Sequence, residues 1–313
     1  MKLSILDQAP ILSGMNAQEA LQQSVLLAQK GEELGYSRYW IAEHHDLNNL
    51  ACSAPEIMLA HIGSQTATIR IGAGAILLPY YKPYKIAEVF NMLETLFPGR
   101  IDLGIGRAPG GPAEASLALS DHYLKGVWNL PHSLEELLHF LNHDFPQDHQ
   151  FSNLQASPRP VDSPRPWLLG TSRKSAKLAA ENGMAYAFAH FMSDVDGPSI
   201  VSNYRENYKQ RLGTMETIVA VSVICAERTE KAEELALDWY KKTHLNEQEL
   251  KDDKALLSKM NKKMVIGNRE EVGEKLTQLQ HDYCCDELMI NTNVDCFESR
   301  LKSYQLIADL QKA

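Results

Sequence analysis

Two adjacent histidines, His44 and His45, stand in the segment WIAEHHD, residues 40–46. An imidazole titrates near neutrality, so it can take or give a proton at an oxygen atom under ordinary conditions. The residues before them read as a strand, where successive side chains point to opposite faces. One histidine therefore serves chemistry and its neighbour serves structure. A second candidate is GTSRKS, residues 170–175, where a strand gives way to a helix with hydroxyls on Thr171, Ser172 and Ser175. Unpaired N–H groups and the positive end of the helix dipole, with Arg173 and Lys174 beside them, would cradle a phosphate; an ordinary N-cap by Ser172 is the plainer alternative. Arg107, the only basic residue directly at a strand end, can reach the same phosphate with a two-pronged contact or can serve as a salt-bridge partner. In IGAGAILLP, residues 71–79, the small residues Gly72, Ala73, Gly74 and Ala75 fill the middle of a strand. Glycine there suits close approach of a ligand, such as a flat aromatic ring, or tight packing. Asp7, Glu43 and His190 could join a metal site, but the H-x-H and H-E-x-x-H spacings are absent and no metal is expected.

The elements that must position these residues alternate regularly. Strand-like runs fall at 2–6, 36–42, 69–78, 100–106, 166–170, 185–189, 217–226 and 286–291, each leading into a helical pattern. The first helix opens on Asn16 with Glu19 three residues on and closes at Gly35. Other helices are expected at 56–65, 84–97, 133–142, 172–183, 197–212 and 229–240. Apolar strands each followed by a helix argue for a parallel sheet under a helical layer, and eight such units close into a (β/α)8 TIM barrel. An open doubly wound sheet is disfavoured, because the glycines of GIGRAPGG have the wrong spacing for a dinucleotide fingerprint. One domain spanning 1–313 is expected, with loop insertions near 107–132, 143–165 and 243–264. In such a barrel chemistry sits past the C-terminal strand ends. There stand Asp7, Glu43 to His45, Pro79 and Tyr80, Arg107, Thr171 and Ser172, His190, Glu227, Asn291 and Asn293. Asp7 and His190 are candidate ligand contacts on that basis. Trp40, Trp128 and Trp167 are expected in the core or an interface, and Met184, Met192 and Met289 as core filler.

Composition bounds the function. Lys and Arg number 31 against 40 Asp and Glu, a formal charge of −9, which excludes a nucleic-acid reader built on bulk positive charge. Hydrophobic residues make up 44% of the 313, enough for a full core. Five cysteines with no C-x-x-C pair fit a reduced intracellular protein, and neither a signal peptide nor a membrane-spanning run is apparent. A cytoplasmic location is expected.

In order and separation, WIAEHHD, IRIGAGAILLP, FPGRIDLGIGRAPG and WLLGTSRKSAKLAAENGMAYAFAHF resemble the bacterial luciferase-like family of flavin-dependent monooxygenases. The likeness extends to VIGNREEVGEKL at 265–276 and CDELMINT at 285–292, and so covers nearly the whole chain. The resemblance implies a barrel, usually dimeric, that takes reduced FMN from a separate flavin reductase and reacts it with O2 to a flavin C4a-hydroperoxide, which oxidises a small-molecule substrate. It implies His44 as the catalytic histidine and Gly74 and Ala75 under the isoalloxazine ring, at a place where the family often has a non-prolyl cis peptide. It further implies Arg107 at the phosphate, with Gly170, Thr171, Ser172 and Ser175 closing around it, and Lys125 as a candidate second phosphate contact. Light-emitting relatives carry a cysteine where this chain has Gly106, the segment after Arg107 is shorter than theirs, and their long mobile loop has no clear counterpart. Light emission is therefore not expected. Two other readings stand beside the monooxygenase: hydride transfer with a deazaflavin, and a flavin-binding protein without catalysis.

Overall fold

Nine parallel strands are present among the described residues, 1–211, 214–244 and 252–311 of the computed structural model. They are β1 (Leu3–Asp7), β2 (Arg38–Ile41), β3 (Arg70–Leu77), β4 (Ile101–Gly106), β5 (Arg165–Gly170), β6 (Ala185–Ala189), β7 (Thr217–Ala226), β8 (Met264–Asn268) and β9 (Glu287–Asn291). Eight of them close a barrel. β1 to β7 pair in sequence, β7 pairs β9 from Ile218 opposite Glu287 to Ser222 opposite Asn291, and β9 returns to β1 with Leu3 opposite Leu288. The expected (β/α)8 architecture is present.

β8 is an addition that the eight expected strands do not include. β7 has ten residues, twice the length of β6 or β9, and its second half runs past the barrel to pair with β8, Ser222 opposite Met264 through Ala226 opposite Asn268. The 243–264 insertion carries the helix Asp253–Met260, and residues 245–251 lie outside the described set. The sixth expected helix is shorter than its pattern, Gly197–Asn207, and Leu212 also lies outside the described residues. The excursion at 107–132 contains the short helices Ala113–Leu119 and Tyr123–Trp128 and the start of Leu130–Asn142.

Strand alternation divides the apolar residues into two cores. Outward side chains such as Ile5, Tyr39, Ile71 and Leu103 meet the helical layer in the large cluster. Inward ones, Leu6, Trp40, Trp167, Ala185, Ala187, Ile218, Ala220 and Met289, fill the barrel. Trp40 and Trp167 meet edge to face, with ring centres 5.3 Å apart, and occupy so much of the interior that neighbouring inward positions must be small. A Cβ added at Gly72 would lie 2.6 Å from the Trp40 indole nitrogen, which is why this strand position takes glycine. Beneath the indoles, at the N-terminal end, Arg38 joins Asp102 at 2.9 Å and Glu287 at 2.8 Å, and Trp40 donates to Asp102 at 3.0 Å. That ionic floor leaves the opposite mouth as the open end.

The first helix, Ala17–Glu33, opens on the expected capping box of Asn16 and Glu19, and Gly35 takes the positive φ of +82° that ends it. Met184 and Met289 are core residues, as are Trp40 and Trp167, whereas Met192 and Trp128 are exposed by 63% and 88%. Both of these lie on connections beyond strand ends, where no helical layer covers them. No described helix is long and apolar enough to cross a membrane.

Candidate active site at the barrel mouth

The segment after β2 separates its two histidines as strand alternation requires. Glu43, only 3% exposed, takes three donors: the backbone N–H of Leu77 at 2.9 Å, the Tyr81 hydroxyl at 2.7 Å and the His45 Nε2 at 2.8 Å. His45 is thereby held against Glu43 and edge-on to Tyr80. His44 continues the inward register of Trp40 and Ala42; its Nδ1 is buried with no hydrogen-bond partner among the described residues. Burial, helped by the neighbouring His45, lowers the His44 pKa from its ordinary 6.5, so the ring is neutral at pH 7. A neutral imidazole at this strand end can accept or relay a proton.

On the next strand, the Gly74–Ala75 peptide is cis, and the pairing of β3 with β4 shifts register between Ala73 and Ile76. Gly106, at the end of β4, lies against it: a Cβ built there would sit 3.1 Å from the Ala75 Cβ. Positions 74, 75 and 106 thus bring together three small residues, with Leu6 and Trp40 packed close to the Gly74 backbone. Arg107 follows directly and is exposed; its guanidinium makes no ion pair among the described residues, and its carbonyl accepts from the Tyr123 hydroxyl at 3.1 Å. Tyr123 stacks on Tyr80 with ring centres 4.8 Å apart, which docks the 107–129 excursion beside the mouth.

β5 leads into the helix Arg173–Glu181 through a reciprocal cap. Ser172 Oγ accepts from the Ser175 N–H at 3.2 Å, and Ser175 Oγ accepts from the Ser172 N–H at the same distance. Ser175 also meets the Tyr186 hydroxyl at 3.1 Å. A Cβ at Gly170 would fall 2.3 Å from Ser175 Oγ, so the strand end must be glycine for this serine to tuck beneath it. Thr171 and Ser172 are half-buried, while Arg173 and Lys174 are exposed at the first helical turn. The capping and anion-cradle readings are compatible, because the cap occupies the Ser175 N–H and leaves the N–H groups of 173 and 174 outside it.

Two expected contacts stand differently. His190 directly follows β6 and is half-buried, and its Nδ1 meets the Tyr283 hydroxyl at 2.8 Å; burial lowers its pKa. Asp7, expected at the mouth, points the other way. Leu6 faces the interior, so Asp7 faces the helices, where it is wholly buried and bound by Arg300 at 2.8 Å, the Ala9 N–H at 2.8 Å and the Tyr39 hydroxyl. Burial would raise its carboxyl, but Arg300 and Tyr39 outweigh it and hold the pKa below the usual carboxylate range. The carboxylate is consumed by the wall, which removes Asp7 from ligand contact; strand parity alone could have shown this. Among the described residues, no group of three His, Cys, Asp or Glu side chains is arranged to hold a metal ion.

Four successive strands, β2 to β5, thus carry at their C-terminal ends His44, the small residues Gly74 and Ala75, the exposed Arg107 and the Ser172–Ser175 helix start. Residues 1–283 fit the luciferase-like monooxygenase model, and the chain belongs to that family. It is 35% identical to the N-acetyl-S-alkylcysteine monooxygenase of Bacillus subtilis (strain 168), over 99% of this chain and 98% of that one. Among solved structures, apo-MsnO8 superposes with a TM-score of 0.89 at 32% identity, covering 99% of this chain and 98% of its own. The oxygenating constituent of 3,6-diketocamphane monooxygenase from the CAM plasmid of Pseudomonas putida, solved in complex with FMN, shares the fold with a TM-score of 0.75 at 19% identity, covering 98% and 96%.

Proposed function

We propose that the chain is a monooxygenase that binds reduced FMN in the barrel mouth and uses it with O2 to oxidise a small organic molecule. The observation that carries this reading is the succession along β2 to β5 of His44, the Gly74–Ala75 wall, the unpaired Arg107 and the Ser172–Ser175 helix start. The residues fit the cofactor. Arg107, Thr171 and the N–H groups opening the Arg173–Glu181 helix would take the phosphate, and the small residues Gly74, Ala75 and Gly106 would lie under the ring. Reduced FMN supplies electrons to O2, chemistry that no side chain of this protein offers. His44 would supply a neutral imidazole on the inward register at the end of β2, a group able to accept or donate a proton in the mouth. Glu43 keeps His45 and the Leu77 backbone fixed, so that His44 is aimed rather than free to swing. The Trp40–Trp167 plug closes the barrel beneath and shields that proton from bulk water.

A separate flavin reductase would deliver the reduced cofactor. A homodimer that covers the exposed side chains of Ile57, Met92 and Leu96, on the helices Pro55–Gln65 and Pro83–Leu96, belongs to the same reading. Anaerobic titration of reduced FMN, followed by its fluorescence, tests the cofactor. Binding of FMN with a Kd in the micromolar range or below supports the reading, and binding of a deazaflavin in its place would replace it with hydride transfer.

A further inference from the structure

The half of the mouth formed by β1, β7 and β9 is built from different chemistry. Asn291 ends β9 on the inward register of Glu287 and Met289, and it is fully buried. Its Nδ2 donates to Gln8 Oε1 at 3.2 Å, and Asn293 Nδ2 donates to the same oxygen at 3.4 Å. Gln8 follows β1 in the inward register of Leu6, and Gln8 and Asn293 are half-buried, which sets this amide cluster at the rim with Asn291 beneath it. The Asn291 Oδ1 has no donor among the described residues. Beside it in the sheet, opposite Asn291, stands Ser222, 4% exposed, whose hydroxyl makes no hydrogen bond among the described residues. A buried carbonyl oxygen without a donor is costly to leave so, and it marks a place where a ligand donor would be welcomed.

We infer that Gln8, Asn291, Asn293 and Ser222 form a substrate subsite that takes a neutral hydrogen-bond donor, an amide N–H or a hydroxyl, through Asn291 Oδ1. The site rests on the proposal that the mouth is the reaction chamber, with the β3 to β5 wall given to the cofactor. It contains no charged side chain, so it favours a neutral polar group over an ammonium or carboxylate, which would lose hydration without a counter-charge. A substrate gripped here would extend its oxidisable atom across the mouth toward His44. Asn291 is thus a specificity residue, distinct from the proton-handling His44.

The test uses two neutral probes, N-butylacetamide and N-butyl-N-methylacetamide, which differ by an N-methyl group that removes the donor. Their Kd values are measured by ligand-observed NMR on the purified protein, with FMN affinity measured separately. The wild type is expected to bind the secondary amide at least fivefold more tightly. Asn291→Leu should erase that preference and Asn291→Asp, which keeps an acceptor oxygen, should retain it, each with FMN affinity within threefold of wild type. Equal binding of both probes by the wild type, or a preference that survives Asn291→Leu, would overturn the inference. A tenfold loss of FMN affinity in Asn291→Leu would also overturn it, by assigning the oxygen to the cofactor. Should the leucine variant fail to fold, the wild-type comparison and Asn291→Asp decide alone. Failure of FMN to bind the wild type would sink the monooxygenase reading instead, and the probe preference would still be read without cofactor.

Discussion

The Glu43 carboxylate accepts the Leu77 N–H at 2.9 Å, tying the end of the strand that carries His44 to the end of the strand that carries Gly74 and Ala75. With its other oxygen on Tyr81 and His45, it fixes three pieces of the mouth at once. Glu43→Ala leaves the buried Leu77 N–H and the half-buried Tyr81 hydroxyl without their acceptor, which should lower stability by about 2–4 kcal/mol, since each buried orphaned group costs ~1–3 kcal/mol and a half-buried one less. Urea unfolding of the variant checks this, and an unchanged midpoint would show that the network is idle.

His44→Ala is expected to leave FMN affinity within about threefold of wild type while turnover falls at least ~100-fold, the scale of a lost acid/base group. Because burial lowers the His44 pKa, the neutral ring prevails above 6.5, and activity should fall on acidification only at a pH below that value. The acid limb of kcat/KM should vanish from the residual activity of His44→Asn. A limb that persists unchanged belongs to another group.

Among the described residues Arg107 has no ion-pair partner to lose, so Arg107→Ala should cost little stability and much phosphate affinity. Loss of a charge-assisted contact of ~1.5–3 kcal/mol corresponds to roughly 10-fold to 150-fold in the Kd of FMN. Riboflavin, which lacks the phosphate, should bind wild type and variant alike. Titration of both flavins measures the difference.

Asp7 and Arg300 are a structural pair. Arg300→Met strands a buried carboxylate and should destabilise the fold by about 3–5 kcal/mol, leaving the cofactor Kd of the folded fraction unchanged. The folded Asp7 pKa lies below the ordinary carboxylate value of 3.8, so the pair's contribution is present above about pH 4 and is lost as pH falls through the lower folded value. Acid unfolding of wild type and variant should therefore converge at low pH. A constant gap across pH 2–7 would contradict the pairing.

Much of this was legible in the chain. Alternation of apolar strands with helical patterns gave the barrel, and adjacent histidines with opposed directions gave the different surroundings of His44 and His45. The same parity, applied to Leu6 and Asp7, would have turned Asp7 away from the mouth; its strand-end position alone suggested otherwise. Arg300 comes from the last helix, 293 residues away in sequence, and nothing local announces that contact. β8 was hidden because five residues after a basic run give a weak strand pattern, although the unusual length of β7 called for an extra partner. The buried acceptor at Asn291 shows only in three dimensions, since an asparagine at a strand end reads as an ordinary loop beginning.

The central claim is that this mouth binds reduced FMN and puts it to work on O2. Reduced FMN should be bound to the protein under anaerobic conditions and then mixed with O2 in a stopped-flow spectrometer. A transient whose absorbance differs from both reduced and oxidised FMN, and whose decay changes in His44→Ala, is the expected result. Direct reoxidation at the rate of free flavin, with no transient in either protein, would contradict the account.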